Sequence, residues 1–171
     1  NNGTIENIGE NGFHISASGE GINNGIIKNA GNYGIRVMNN SYVRNTGTIA
    51  NNGTNGIFVT VNSEALNDTT GIIENQGNYG IAVGSASKAE NKGIIKNNGA
   101  NGLYVINGGL GINSGTIENT GAHGIFITEA GSKGVKDEKI KNNGTHGIYA
   151  TNDSEAVNGS GGIIENTGNY G

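Results

Sequence analysis

Aromatic residues return at repeat-length spacings along this chain, and they are the side chains best placed to bind something. Phe58, Tyr104, Phe126 and Tyr149 each follow a Gly-Ile or Gly-Leu pair, and Tyr33 and Tyr79 stand directly before a Gly in a neighbouring row. That row reads Asn11, Tyr33, Asn55, Tyr79, Asn101, His123, His146, Tyr170. Rings beside amides can stack on and hydrogen-bond a carbohydrate or a protein, and exposed aromatic patches often mark interaction sites. Aromatics also suit strands and stack on one another without any ligand. Both readings stand, and the stripe is the candidate ligand-binding surface.

Other chemistry is thinner. His123 and His146 share one repeat position, so their imidazoles would lie about 5 Å apart, the spacing of neighbouring strands. A metal ion needs more ligands than two rings, and no third is fixed by the register. Stacked surface histidines are the simpler reading, with no metal and no cofactor expected. The only three Asp, at 68, 137 and 153, fall in irregular connections. Asp137-Glu138 and Asp153-Glu155 could approach each other from different coils, but nothing pins them as the carboxylate pair that glycoside cleavage requires. No nucleophile elbow is present, and the chain is expected not to be an enzyme.

Composition narrows the classes further. The 171 residues include 33 Gly and 31 Asn, with no Pro, Cys or Trp. Without Cys there is no disulfide framework and no thiolate zinc site. Ile outnumbers Leu by 23 to 3, which favours strands over helices. The net charge of −4 speaks against a nucleic-acid binder, which would carry a basic face. There is no apolar run of 18 residues, and Asn1–Thr4 does not read as a signal peptide.

What positions the candidate residues is a repeat. Gly-x-Ile-x-Asn-x-Gly-x-x-Gly starts at Gly3, Gly25, Gly47, Gly71, Gly93, Gly115 and Gly162, and in an altered form at Glu138. Each copy is followed by a β-like run such as Ile57-Phe58-Val59 and a third segment such as Glu64-Ala65-Leu66-Asn67. No window carries the 3.6-residue spacing of a helix. Units this small bury nothing alone and must stack. The expected fold is all-β: a right-handed parallel β-helix of about 7.5 coils, three short strands per coil, forming a rod on the order of 35 Å long. Residues 1–171 read as one such segment.

Strand alternation assigns faces. Ile5, Ile27, Ile49, Ile73, Ile95, Ile117, Ile140 and Ile164 should form an inward stack. Asn7, Asn29, Asn51, Asn75, Asn97, Asn119, Asn142 and Asn166 should form a structural ladder, amide to amide, at a turn whose left-handed backbone Asn tolerates. Asn23, Asn45, Asn67, Asn91, Asn113 and Asn158 form a second row, broken by Lys136. The recurring glycines read as turn formers. Outward, Glu6, Lys28, Ala50, Glu74, Lys96, Glu118, Lys141 and Glu165 form a row whose alternating charges would fix register more than store stability.

The stretch Gly115–Ile127, Gly-Thr-Ile-Glu-Asn-x-Gly-x-x-Gly-Ile-x-Ile, resembles repeats in the passenger domains of Gram-negative autotransporter adhesins, of the large fusobacterial type. The resemblance runs the length of the chain. It implies secretion through the outer membrane, display at the cell surface and adhesion. Asn1-Asn2 match Asn23-Asn24, and Tyr170-Gly171 stop within a repeat, so an internal fragment of a longer solenoid is expected. The functional expectation is an adhesin segment, a stalk or ligand-presenting rod, whose partners are a cell-surface protein or glycan and neighbouring coils, with no nucleic acid and no membrane span. The alternatives are a structural subunit of a filament or surface layer that stacks end to end, and a polysaccharide-active enzyme.

Overall fold

The computed structural model describes residues 1–51, 53–97, 99–142 and 144–170, with the side chain of Asn51 outside the description. Among these residues there are 22 strands of four or five residues and no helix. The strands fall into three sheets, and in each sheet every third strand of the chain pairs in parallel with the next. One sheet has eight strands, from Thr4–Asn7 to Ile163–Asn166. The second has seven, from Asn11–Ile15 to His146–Ala150, and the third seven, from Glu20–Asn23 to Glu155–Asn158. The chain is a β-solenoid of about seven turns, three strands to a turn, as the repeat predicts.

Register follows the repeat residue for residue. Ile5 pairs with Ile27, Ile73 with Ile95, and Ile117 with Ile140. The interior is one continuous column of mostly β-branched side chains. Ile27, Ile49, Ile73, Ile95, Ile117 and Ile140 are wholly buried, as are Val37, Val59, Val83 and Val105 of the second sheet. Val43, Ala65 and Ala89 fill the narrow third side. Repeats of unequal length keep this register because their extra residues loop out at corners. The Asp68–Gly71 and Gly159–Gly162 loops each close with a backbone hydrogen bond (2.8 and 2.9 Å) before the next strand of the first sheet.

Both amide rows form ladders. Asn7 donates to Asn29 at 3.1 Å, and the chain Asn75–Asn97–Asn119–Asn142–Asn166 is linked at 3.2, 3.1, 3.0 and 2.9 Å. The second row is tighter and fully buried: Asn23, Asn45, Asn67, Asn91 and Asn113 are joined at 2.7 to 2.8 Å. Each rung also donates to a carbonyl of its own corner, as Asn97 does to Asn101 O at 2.9 Å. The ladder amides therefore have partners along and across the column, which is what makes their burial tolerable.

Two expectations about turns need correcting. The ladder asparagines do not adopt left-handed backbone. That conformation sits instead in the connection between the second and third strands, at Ala17-Ser18, Asn39-Asn40, Val61-Asn62, Ser85-Ala86 and Asn152-Asp153. The recurring glycines are also not there for positive φ, which among the described residues only Gly108 and Gly131 show. Their role is close approach. A Cβ on Gly31, Gly77, Gly99, Gly121 or Gly144 would overlap the carbonyl oxygen of the glycine one coil below. A methyl group there would hold the coils apart.

Candidate binding face

The outer face of the second sheet is built on a local break in alternation. In each strand of this sheet a glycine at the second position faces inward. A Cβ on Gly56, Gly80, Gly102 or Gly124 would meet the Cγ2 of an isoleucine in the next coil's first strand. The residue after it is also buried, as Ile57 and Ile125 are. Two consecutive inward positions leave the residues on either side both facing out. That places the Tyr33 row beside the Phe58 row on one surface.

The rings pack into columns there. Tyr33 stacks on Phe58 at 5.2 Å, with the Arg36 guanidinium 5.4 Å from the Tyr33 ring centre. Tyr79 stacks on Tyr104 at 4.6 Å, Tyr104 on Phe126 at 5.4 Å, and Phe126 on Tyr149 at 5.3 Å. All six predicted aromatics lie on this face, and the structure brings them together. They are half-buried against each other rather than free-standing, with only Tyr149, 38% accessible, among the exposed residues. Ala82, at the same position as Phe58, is buried. Burial, and then the neighbouring Tyr79, raise the Tyr104 hydroxyl above its ordinary pKa.

At one end of the column lie the two histidines, paired in register. Their Nδ1 atoms are 3.1 Å apart, so one ring donates an N–H to the other, which one depending on tautomer. His146 stacks on Tyr149 and Tyr170 at 4.7 and 4.8 Å, and His123 packs on Phe126 and Tyr149 at 5.3 and 5.2 Å. Burial, and then His146, push the His123 pKa down.

The charge row on the first sheet pairs in part as expected. Glu6–Lys28, Glu74–Lys96 and Glu118–Lys141 lie at 3.1, 3.5 and 3.9 Å. Glu165 is claimed instead by Lys139, at 2.8 Å from the adjacent row. Ala50 interrupts the row, and shallow grooves of about 340 and 490 Å³ open on its two sides. The carboxylates weighed for catalysis are scattered. Asp68 and Asp137 follow strands of the third sheet, while Asp153 lies in the connection that precedes it. Asp68 is held by Arg44 Nε at 2.7 Å, and Glu155 by Lys133 at 2.9 Å. Among the described residues no cluster of three metal-ligating side chains occurs.

A serine row escaped the sequence reading. Ser41, Ser63 and Ser87 are buried, and the hydroxyls of Ser41, Ser63 and Ser87 accept from the backbone N–H of Gly19, Ser41 and Ser63 one coil below, at 3.0 to 3.1 Å. Their recurrence before the third strand was the available signal. No family model, no curated protein and no solved structure matches this chain.

Proposed function

We propose that this chain is an adhesive rod, a non-enzymatic segment of a surface-displayed autotransporter-type adhesin, and that the outer face of its second sheet is the binding surface. The observation that supports the reading is the column from Tyr79 through Tyr104 and Phe126 to Tyr149, in which each ring stacks on the next over four coils. A rigid solenoid presents such a column without the entropic cost of ordering loops on binding. Rings that carry tyrosine hydroxyls offer both a stacking surface and hydrogen bonds to a sugar chain.

The test is binding of the purified rod to a glycan array and to intact cells, with Tyr104 and Phe126 each changed to Ala. These rings are half-buried, so each variant must first retain its β-sheet circular dichroism. The expected result is loss of binding in folded variants. Full binding by both variants would remove the column from the function and leave the rod as a spacer.

A further inference from the structure

We infer that His123 and His146 form a two-imidazole site for copper(II) on the outer face of the second sheet. The inference does not depend on what the aromatic column binds. It rests first on distance. Two metal–nitrogen bonds of about 2.0–2.1 Å, opened to roughly 100°, span about 3.1 Å, and the two Nδ1 atoms are 3.1 Å apart. The ion would sit to one side of the direct N···N line, each metal–nitrogen bond leaving that line by about 40°.

The rings are also held for the task. Parallel register fixes their backbones one coil apart. Tyr149 and Tyr170 both stack on His146, and Phe126 and Tyr149 pack on His123. Both nitrogens are therefore presented by side chains whose rotamers are already restricted, and little ordering remains for the ion to impose. The row itself changes character here. From Asn11 to Asn101 it alternates Asn and Tyr, and only at this point do two ligating side chains stand next to each other.

The choice of ion follows from the donors. Two imidazoles with no thiolate select among copper(II), nickel(II) and zinc, and for such a site copper(II) binds most tightly. The angle near 100° lies between the tetragonal preference of copper(II) and the tetrahedral preference of zinc. Only two positions are supplied by the chain, so the rest of the coordination sphere would be water or donor atoms of a docking molecule.

Titration with copper(II) sulfate alone tests this, followed by calorimetry and by electron paramagnetic resonance. The expected result is one equivalent per chain, with a signal of two equatorial nitrogens. His123→Asn and His146→Asn should each weaken binding at least tenfold, since even outer-shell changes at metal sites cost about 10–100-fold. Asn stands in this row at positions 55 and 101, so both variants are compatible with the fold. His14→Asn, in the first coil, should leave binding unchanged. Absence of saturable binding at one equivalent, binding indifferent to either single variant, or loss with His14→Asn would each overturn the inference.

Discussion

The Lys136 ammonium donates to Asn158 Oδ1 at 3.2 Å, standing where every other rung of the buried ladder is an asparagine. A lysine can donate but cannot accept, so the row is cut below it. Asn113 keeps the corner bond the other rungs make, to Gly115 O at 2.9 Å, but meets no side-chain amide oxygen at the next rung. Lys136 is wholly buried, and desolvation lowers its pKa despite the opposing influence of Glu138 and Asp137.

Lys136→Asn should therefore stabilise the rod, by about 1–3 kcal/mol near neutral pH, because it replaces a desolvated charge with a rung that both donates and accepts. The pH dependence has a definite sign. A cation whose folded pKa is depressed weighs against folding while protonated, and that penalty fades as pH rises through the lowered value toward the ordinary 10.5. The gain of Lys136→Asn over the natural chain should shrink over that interval. Thermal melts of both proteins across the alkaline range check it, and a gain that stayed constant with pH would contradict it.

The ladder makes a second prediction. Asn67 accepts from Asn45 at 2.8 Å and donates to Asn91 at 2.7 Å, wholly buried. Asn67→Ala strips Asn91 Oδ1 of that donor and opens a void, and should cost about 2–4 kcal/mol in urea denaturation. Asn67→Asp should be worse at neutral pH, since a buried carboxylate would face Asn91 Oδ1 with no proton to give. Mild acid should narrow the gap between Asn67→Asp and the natural chain, as the protonated acid regains a donor.

Asp68 titrates in the opposite sense. The Thr69 N–H, then the Arg44 guanidinium, hold its carboxyl below the usual 3.8. A lowered folded pKa contributes stability that is present above 3.8 and lost as pH falls through the folded value. The melting-temperature advantage of the natural chain over Asp68→Asn should disappear across that acid interval and nowhere else.

Much of this architecture was readable because the repeat carries it twice, in spacing and in residue type. The Ile5 and Asn7 rows declared both the coil length and the inward register, and the fold followed. The left-handed corners were not readable, because Ala17-Ser18 and Val61-Asn62 adopt them with residues that carry no consistent turn signal. The glycines misled for a related reason. A Gly required by a neighbouring coil's carbonyl looks the same in sequence as one required by its own φ. For the binding face, the aromatic rows were visible. Their mutual stacking depended on two successive inward positions after Tyr33 and its equivalents, which strict alternation does not allow for.

That distinction between the two kinds of glycine can be measured directly. At Gly99 a Cβ would overlap the Gly77 carbonyl oxygen, which is backbone and cannot swing aside. Gly99→Ala should cost more than about 3 kcal/mol, the upper range for strained or overpacked sites. At Gly108 φ is +70°, but nothing lies within 4 Å of the Cβ position. Asn40, Asn62 and Ser18 adopt the same left-handed backbone at the equivalent corner. Gly108→Asn should therefore be close to neutral, or stabilising by up to about 1 kcal/mol through a less flexible unfolded chain. Parallel urea titrations of the two variants decide the matter. Equal losses at both positions would mean that backbone conformation, not the separation of the coils, governs where this solenoid needs glycine.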